Sequence, residues 1–318
     1  MQYRRLGRTQ LDVSEISLGT VELGMEYGLK DRKESNIPTE KDADYLLNHA
    51  IDSGINFIDT ASLYGNSEEI IGRSLNKTRR SEYILATKCL HRLDEGLHYK
   101  EAQKSIVESI NKSLLRLKTD YIDLLQVHGR DNLQEEVRMI QDGQVLEVLE
   151  KIKKEGKIRF IGYSSYSEEA ALEIIKDGNW DTLQIPCNIL DQRYLKNVIP
   201  AAKKHRLGLI IRSALLKGAL TRKSQFIPPK LVPLIEHINH LREFQTTTPY
   251  SLPELALRFV LSIPDISTII VGADRIEYLK DAVSVSDGQE LKNQIRNKLR
   301  NLTLDDPYLL NPGNWEVD

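Results

Sequence analysis

Short, continuously apolar runs alternate along this chain with longer stretches whose apolar residues recur every three or four positions. Val13 to Leu18 reads as a first strand, ending at Gly19-Thr20. A loop rich in Gly and charge, over 21–38, separates it from a helix over 39–53. There Ala43, Leu46, Leu47, Ala50 and Ile51 share one stripe, with Thr39 as cap. A strand entered through Ser53-Gly54 runs from Ile55 to Asp59. A polar turn carrying Tyr64 follows it, then a helix through Ile70, Ile71 and Leu75.

The same reading predicts strand 82–87 with helix 100–117, then strand 121–127, a loop over 129–142 and helix 145–155. Next come strand 158–161 with a helix capped by Ser167, strand 182–185 with helix 195–204, and strand 207–211. The segment 214–250, rich in Lys, Pro and Thr, is expected to hold the largest loop and an extra helix. Helix 252–261, strand 267–271, helix 275–283, a last amphipathic helix over 288–301 and an irregular tail complete the chain. Strands apolar on both faces belong to parallel sheets covered by helices. About eight strand–helix units fit a closed barrel better than an open sheet, so the expected fold is a single α/β domain over 1–318. That fold is a (β/α)8 TIM barrel with long loops and an extra C-terminal helix. No Gly-x-Gly-x-x-Gly fingerprint follows the first strand and no Gly-Lys-Ser/Thr phosphate loop occurs, which argues against a doubly wound sheet.

Composition narrows the function classes. Lys plus Arg number 44 and Asp plus Glu 46, a net charge of −2, which gives no electrostatic reason for nucleic acid or an anionic membrane as partner. The N-terminus has no apolar run of signal-peptide type, and no run is long enough to span a bilayer, so a cytoplasmic location is expected. Cys89 and Cys187 sit in apolar contexts and read as reduced core thiols. The seven His (49, 91, 98, 128, 205, 237 and 240) are scattered, so no metal site is expected, and His237-x-x-His240 reads as a helix-surface feature.

Four residues stand just beyond three successive strands, which places them on one rim of a barrel: Asp59, Tyr64, Lys88 and His128. A carboxylate at the end of a buried strand needs a buried cation, and Lys88 is available. An ammonium beside the Tyr64 phenol is expected to favour phenolate and lower a pKa that is ordinarily about 10. A phenol so tuned serves as general acid or base, with His128 donating to a substrate oxygen.

The motif Asp59-x-x-x-x-Tyr64-Gly65 resembles the aldo-keto reductase superfamily. So do Lys88 after Leu85-Ala86-Thr87, His128 after Asp123-Leu124-Leu125-Gln126-Val127, the opening Arg5-Leu6-Gly7-Arg8-Thr9, Leu18-Gly19-Thr20, and Gly156-Lys157-Ile158-Arg159-Phe160-Ile161-Gly162-Tyr163-Ser164. The resemblance runs from about residue 3 to about residue 285. It implies a barrel enzyme that binds NADP(H) across its rim and interconverts a carbonyl (aldehyde, ketone or sugar) and an alcohol by hydride transfer. Tyr64 would be the proton donor, tuned by Lys88 and Asp59, and His128 would orient the carbonyl. By the same resemblance Ser164, Ser165 and Gln184 hold the carboxamide, while Thr20 and Asp59 lie near the nicotinamide ribose. Arg212 stands where an aromatic ring commonly stacks on the nicotinamide. Ser213, Leu215 and Gly218 match the loop over the pyrophosphate, and Gly272, Ala273, Asp274, Tyr278 and Asp281 match the adenosine end.

The chain departs from the pattern in several places. Ser165 replaces an Asn, Ala214 a Pro, and Gly272 and Tyr278 stand where many relatives carry Lys and Arg for a 2′-phosphate. Asp274 would repel that phosphate and favour a ribose hydroxyl, with Arg275 beside it, so NAD(H) remains open beside NADP(H). A cofactor-binding regulatory barrel with little turnover is the alternative. The polar loop residues Tyr27, Arg130, Asp131, Lys217, Arg222 and Tyr250 tilt the substrate toward a sugar or short polar aldehyde. Whether the protein forms a homo-oligomer is left open by the sequence.

Overall fold

The computed structural model describes residues 1–30, 37–75, 77–91, 99–130 and 132–315. Asp131 and His98, named above, lie outside them. Eight parallel strands close into a barrel: β3 (Ile16–Gly19), β4 (Phe57–Asp59), β5 (Ile84–Cys89), β6 (Ile122–His128), β7 (Ile158–Ser164), β8 (Thr182–Pro186), β9 (Gly208–Arg212) and β10 (Thr268–Gly272), which pairs back onto β3. Every residue of β4, β5 and β8 is buried, the polar Asp59, Thr87, Lys88, Thr182 and Gln184 included, the physical reason these strands show no alternating polar face. The expected TIM barrel is therefore the fold, with helices Glu40–Asp52, Tyr99–Leu117, Gln144–Lys154, Glu168–Asp177, Leu252–Leu261 and Ile276–Ser284 among those packed outside. Thr39 and Ser167 cap their helices as predicted, accepting from the Asp42 and Ala170 amides.

Four elements differ from the sequence reading. The first predicted strand is two strands. Tyr3–Arg5 (β1) and Asp12–Ser14 (β2) form an antiparallel hairpin outside the barrel, and β3 begins only at Ile16. Leu6 and Val13, from the hairpin and its turn, join Phe57, Ile84, Ala86, Leu124 and Ile210 in a small core inside the barrel. Gly208 makes room for this plug, because a Cβ there would stand 2.7 Å from Leu6 Cδ1. The expected loop over 129–142 is largely helix, Leu133–Asp142, capped by Asn132 and closed by left-handed Gly143. Glu136, Met139 and Ile140 are its only buried residues, a stripe too thin to show as a period. The last amphipathic helix is shorter than expected, Asn293–Arg300, and the tail holds one further turn, Pro307–Leu310. The long segment after β9 does contain an extra helix, Val232–Gln245.

Cys89 and Cys187 are free and buried, and burial pushes the Cys89 thiol up to about 12. Among the described residues no helix is long and apolar enough to cross a membrane, and no cluster of metal-ligating side chains occurs.

Candidate active site

The C-terminal ends of the strands surround a cavity of about 380 Å³. Asp59 closes β4 with its carboxylate pointing into the barrel mouth, where it is satisfied on both oxygens. Lys88 Nζ, from β5, donates to Asp59 Oδ2 at 2.5 Å and to the Thr60 carbonyl at 3.0 Å. Gln126 and Gln184 each donate a side-chain amide to Asp59 Oδ1, at 3.1 and 3.0 Å. Lys88 is 1% exposed and Asp59 3%, so the pair is a buried ion pair with its remaining lone pairs filled. Lys88 sits at the end of β5 itself, level with Gln126 of β6, and does not line the cavity.

Tyr64 reaches the group from the turn after β4. Lys88 Nζ also donates to its hydroxyl at 3.4 Å, and the His128 ring meets it edge-on with centroids 6.1 Å apart. The turn is held by backbone packing. A Cβ on Gly24 would stand 2.0 Å from the Tyr64 carbonyl oxygen, and one on Gly65 2.2 Å from the Gly24 oxygen. The Ser67 hydroxyl donates to the Thr20 carbonyl at 2.9 Å, and Thr20 Oγ1 donates to the Asp59 carbonyl at 3.0 Å. Side chains from the first two barrel strand ends thus brace one another around Asp59.

The electrostatics correct one expectation. Burial pushes the Tyr64 phenol well above its ordinary value of 10.0, and the Asp59 carboxylate adds to the shift. Lys88 does not make it acidic, because Asp59 already compensates the ammonium and itself faces the phenol. The phenol is neutral and carries its proton. Burial, with Lys88, Arg212 and Arg130 adding to it, lowers His128 to about 3, so its imidazole is neutral as well. His128 Nδ1 is buried without a partner.

Thr20, Asp59, Tyr64, His128, Ser164, Gln184, Arg212, Ser213, Leu215, Gly218, Gly272, Asp274, Tyr278 and Asp281 all line the cavity. Ser165 and Ala273 do not. The Ser165 hydroxyl turns away and donates to the Ser167 carbonyl at 2.8 Å. Ser164 donates to Gln184 Oε1 at 3.3 Å. Arg212 lies over the Tyr166 ring, with Cζ 4.2 Å from the ring centroid, and donates to the Ser165 carbonyl at 3.0 Å. Beyond it the chain turns through left-handed Ser213, Leu216, Lys217 and Gly218. At the far end Lys223 Nζ meets Asp274 Oδ2 at 3.0 Å. Tyr250, expected in the pocket wall, packs instead against Arg258.

Sequence reasoning missed Gln126, Glu22, Tyr166, Lys223 and the start of the helix Leu252–Leu261, where Pro253, Glu254 and Leu257 reach the cavity. Gln126 had a readable signal: a polar residue two positions before His128 in an apolar strand shares its face. Lys223 had none, since a lysine in a charged loop is normally solvated.

Known proteins resemble this chain along nearly its whole length. The model of the aldo/keto reductase family matches residues 15–302. An uncharacterized oxidoreductase from Bacillus subtilis, YqkF, is 32% identical over 97% of this chain and 98% of its own length. The aldo-keto reductase YhdN of the same organism is 30% identical over 96% of both chains. The structure of aldo-keto reductase AKR11C1 from Bacillus halodurans in its holo form superposes with a TM-score of 0.77 at 28% identity, covering 99% of this chain and 100% of that one. Sequence and fold agree, and the chain belongs to the aldo/keto reductase family of oxidoreductases.

Proposed function

We propose that this protein is an NADP(H)-dependent reductase that interconverts a carbonyl, in an aldehyde, ketone or sugar, and an alcohol, with Tyr64 as general acid and base. The observation that carries the reading is a neutral phenol at the cavity wall, with a buried ammonium on one side and a neutral imidazole edge on the other. In the reducing direction a protonated phenol is the form required. It gives its proton to the oxygen that becomes alkoxide, and Lys88 Nζ donates a hydrogen bond to the oxygen left behind. Asp59 holds Lys88 in place, which makes it a positioning residue. Neutral His128 orients the carbonyl oxygen by donating one hydrogen bond.

The residues fit a nicotinamide dinucleotide. The cavity runs from Tyr64 and His128 to Tyr278 and Asp281, and buried polar atoms of Glu22, His128 and Arg212 lack partners inside the protein. When bound, the cofactor supplies the hydride. Ser164 and Gln184 would hold its carboxamide, the Arg212 guanidinium would stack on its ring, and Ser213, Leu215 and Gly218 would pass over its pyrophosphate. Ser165 takes no part through its side chain. At the 2′ end Arg222 and Lys223 supply positive charge for NADP(H), and Asp274 opposes it, so NAD(H) is the competing cofactor. Tyr27 and Lys217 make the open side polar, which suits a hydroxylated substrate.

The test is nicotinamide absorbance with NADPH and NADH against a panel of aldehydes, ketones and sugars. Tyr64→Phe should lower kcat by about a hundredfold or more and leave cofactor affinity unchanged. A Phe variant that kept the full rate would remove Tyr64 from the mechanism. Tight cofactor binding with no turnover on any carbonyl would favour the regulatory barrel.

A further inference from the structure

Glu22 is an acid of the cavity wall to which the proposed chemistry gives no task. It lies in the short helix Val21–Gly24 that follows β3, and its carboxyl rests against Gly272 at the end of the neighbouring strand β10. A Cβ on Gly272 would stand 2.2 and 2.4 Å from the two Glu22 oxygens, so glycine is required there for the carboxyl to occupy this place. Glu22 Oε2 is buried and has no hydrogen-bond partner. Asp274, two residues beyond Gly272, holds the Lys223 ammonium at 3.0 Å. Lys223 in turn packs on Gly218, with its Cβ 3.5 Å from where a Gly218 Cβ would stand. Two carboxyls and one ammonium therefore share the wall opposite the left-handed turn 216–218.

We propose that Glu22 binds the cofactor only in its neutral form, so that the dinucleotide diphosphate and the Glu22 carboxylate exclude one another and cofactor binding takes up a proton. The inference rests on the cavity being a dinucleotide site. Two phosphate charges would enter a wall that already holds the Asp274 carboxylate, and the Lys223 ammonium there is already paired with Asp274. Protonating Glu22 removes one negative charge and turns an unsatisfied acceptor into a donor for a phosphate or ribose oxygen. The free protein is prepared for this: burial holds the Glu22 carboxyl up at about 7, with Asp274 adding to the shift and Lys223 opposing it. The other titratable groups facing Glu22 are the Tyr27 and Tyr64 phenols, both shifted upward and neutral throughout. They add no charge of their own.

The consequence is a pH-dependent affinity in a range where neither catalytic group titrates. Below about 7 Glu22 is already protonated and affinity is flat. Above it each binding event must first protonate the carboxylate, and Kd rises by up to about tenfold per pH unit. The experiment measures Kd of NADPH and of NADH by fluorescence from pH 6 to 9 on the intact protein and on Glu22→Gln. Calorimetry of the wild type at pH 8 in two buffers of different ionisation heat counts protons directly. The expected result is a rising Kd and uptake of close to one proton for the wild type, with a flat Kd for Glu22→Gln. Equal pH dependence in the two proteins, or no proton uptake by the wild type, overturns the role of Glu22 while leaving the reductase reading intact. Failure of both dinucleotides to bind at any pH overturns that reading as well, and the calorimetric count stands even if the variant does not fold.

Discussion

Asp59 is buried, yet both of its oxygens are filled by Lys88, Gln126 and Gln184. Removing one member of a buried ion pair leaves the other as an uncompensated charge, which is costlier than removing both. Asp59→Asn keeps the shape and fails on two counts. Its amide turns a donor toward either the Lys88 ammonium or the two glutamine amides, and the ammonium loses its counter-charge. The variant should lose about 3–5 kcal/mol of stability, read from its urea midpoint, and refilling with Lys88→Met in the same chain should recover part of that loss. Recovery of stability without recovery of turnover separates the structural task of the pair from its task beside Tyr64. The same residue scale explains why the phenol is not acidic. A compensated ammonium exerts little net field, and desolvation of phenolate then decides the direction.

Elements place Tyr64 more than its own sequence does. The turn 61–66 lies on the short helix Val21–Gly24, backbone against backbone, with no side chain between Gly24 and Gly65. Gly24→Ala puts a methyl against the Tyr64 carbonyl, and that carbonyl, which accepts from the Ser67 amide at 3.0 Å, must shift. Displacement of a reacting group by about 1 Å can cost a hundredfold in rate. Gly24→Ala should therefore lower kcat by about tenfold to a hundredfold at a stability cost of about 1–3 kcal/mol. A crystal structure of the variant would show the Tyr64 hydroxyl drawn away from Lys88. An unchanged kcat would mean that the turn is positioned from β4 alone.

The whole molecule separates stability from chemistry along the barrel axis. The hairpin end is filled by Leu6 and Val13, and the opposite end carries the cavity. Leu6→Ala opens a void at a site with no exposure and should cost about 2–5 kcal/mol, measured by urea unfolding. The kcat of the folded variant should match the wild type, because none of the displaced atoms reaches the rim. A variant with normal stability and altered kcat would mean that the two ends are coupled through the strands.

Much of this was legible in the chain. Mostly apolar runs without a regular apolar–polar alternation gave the barrel strands (β6 and β8 among them, each with two buried polar residues), since a strand buried on both faces has no polar side to display. Spacing placed Asp59, Tyr64, Lys88 and His128 beyond successive strands, and strand ends share one rim in a closed parallel barrel whatever the loops do. The split of the first strand into plug hairpin and barrel strand was not legible, because both halves are apolar for different reasons and only closure of the barrel tells them apart. The direction of the phenol shift, the turning away of Ser165, and the meeting of Glu22 with Gly272 and Asp274 were also decided in three dimensions. Each depends on which charges and backbone atoms lie within a few ångströms of one another across more than a hundred residues of chain, and local sequence carries no record of that distance.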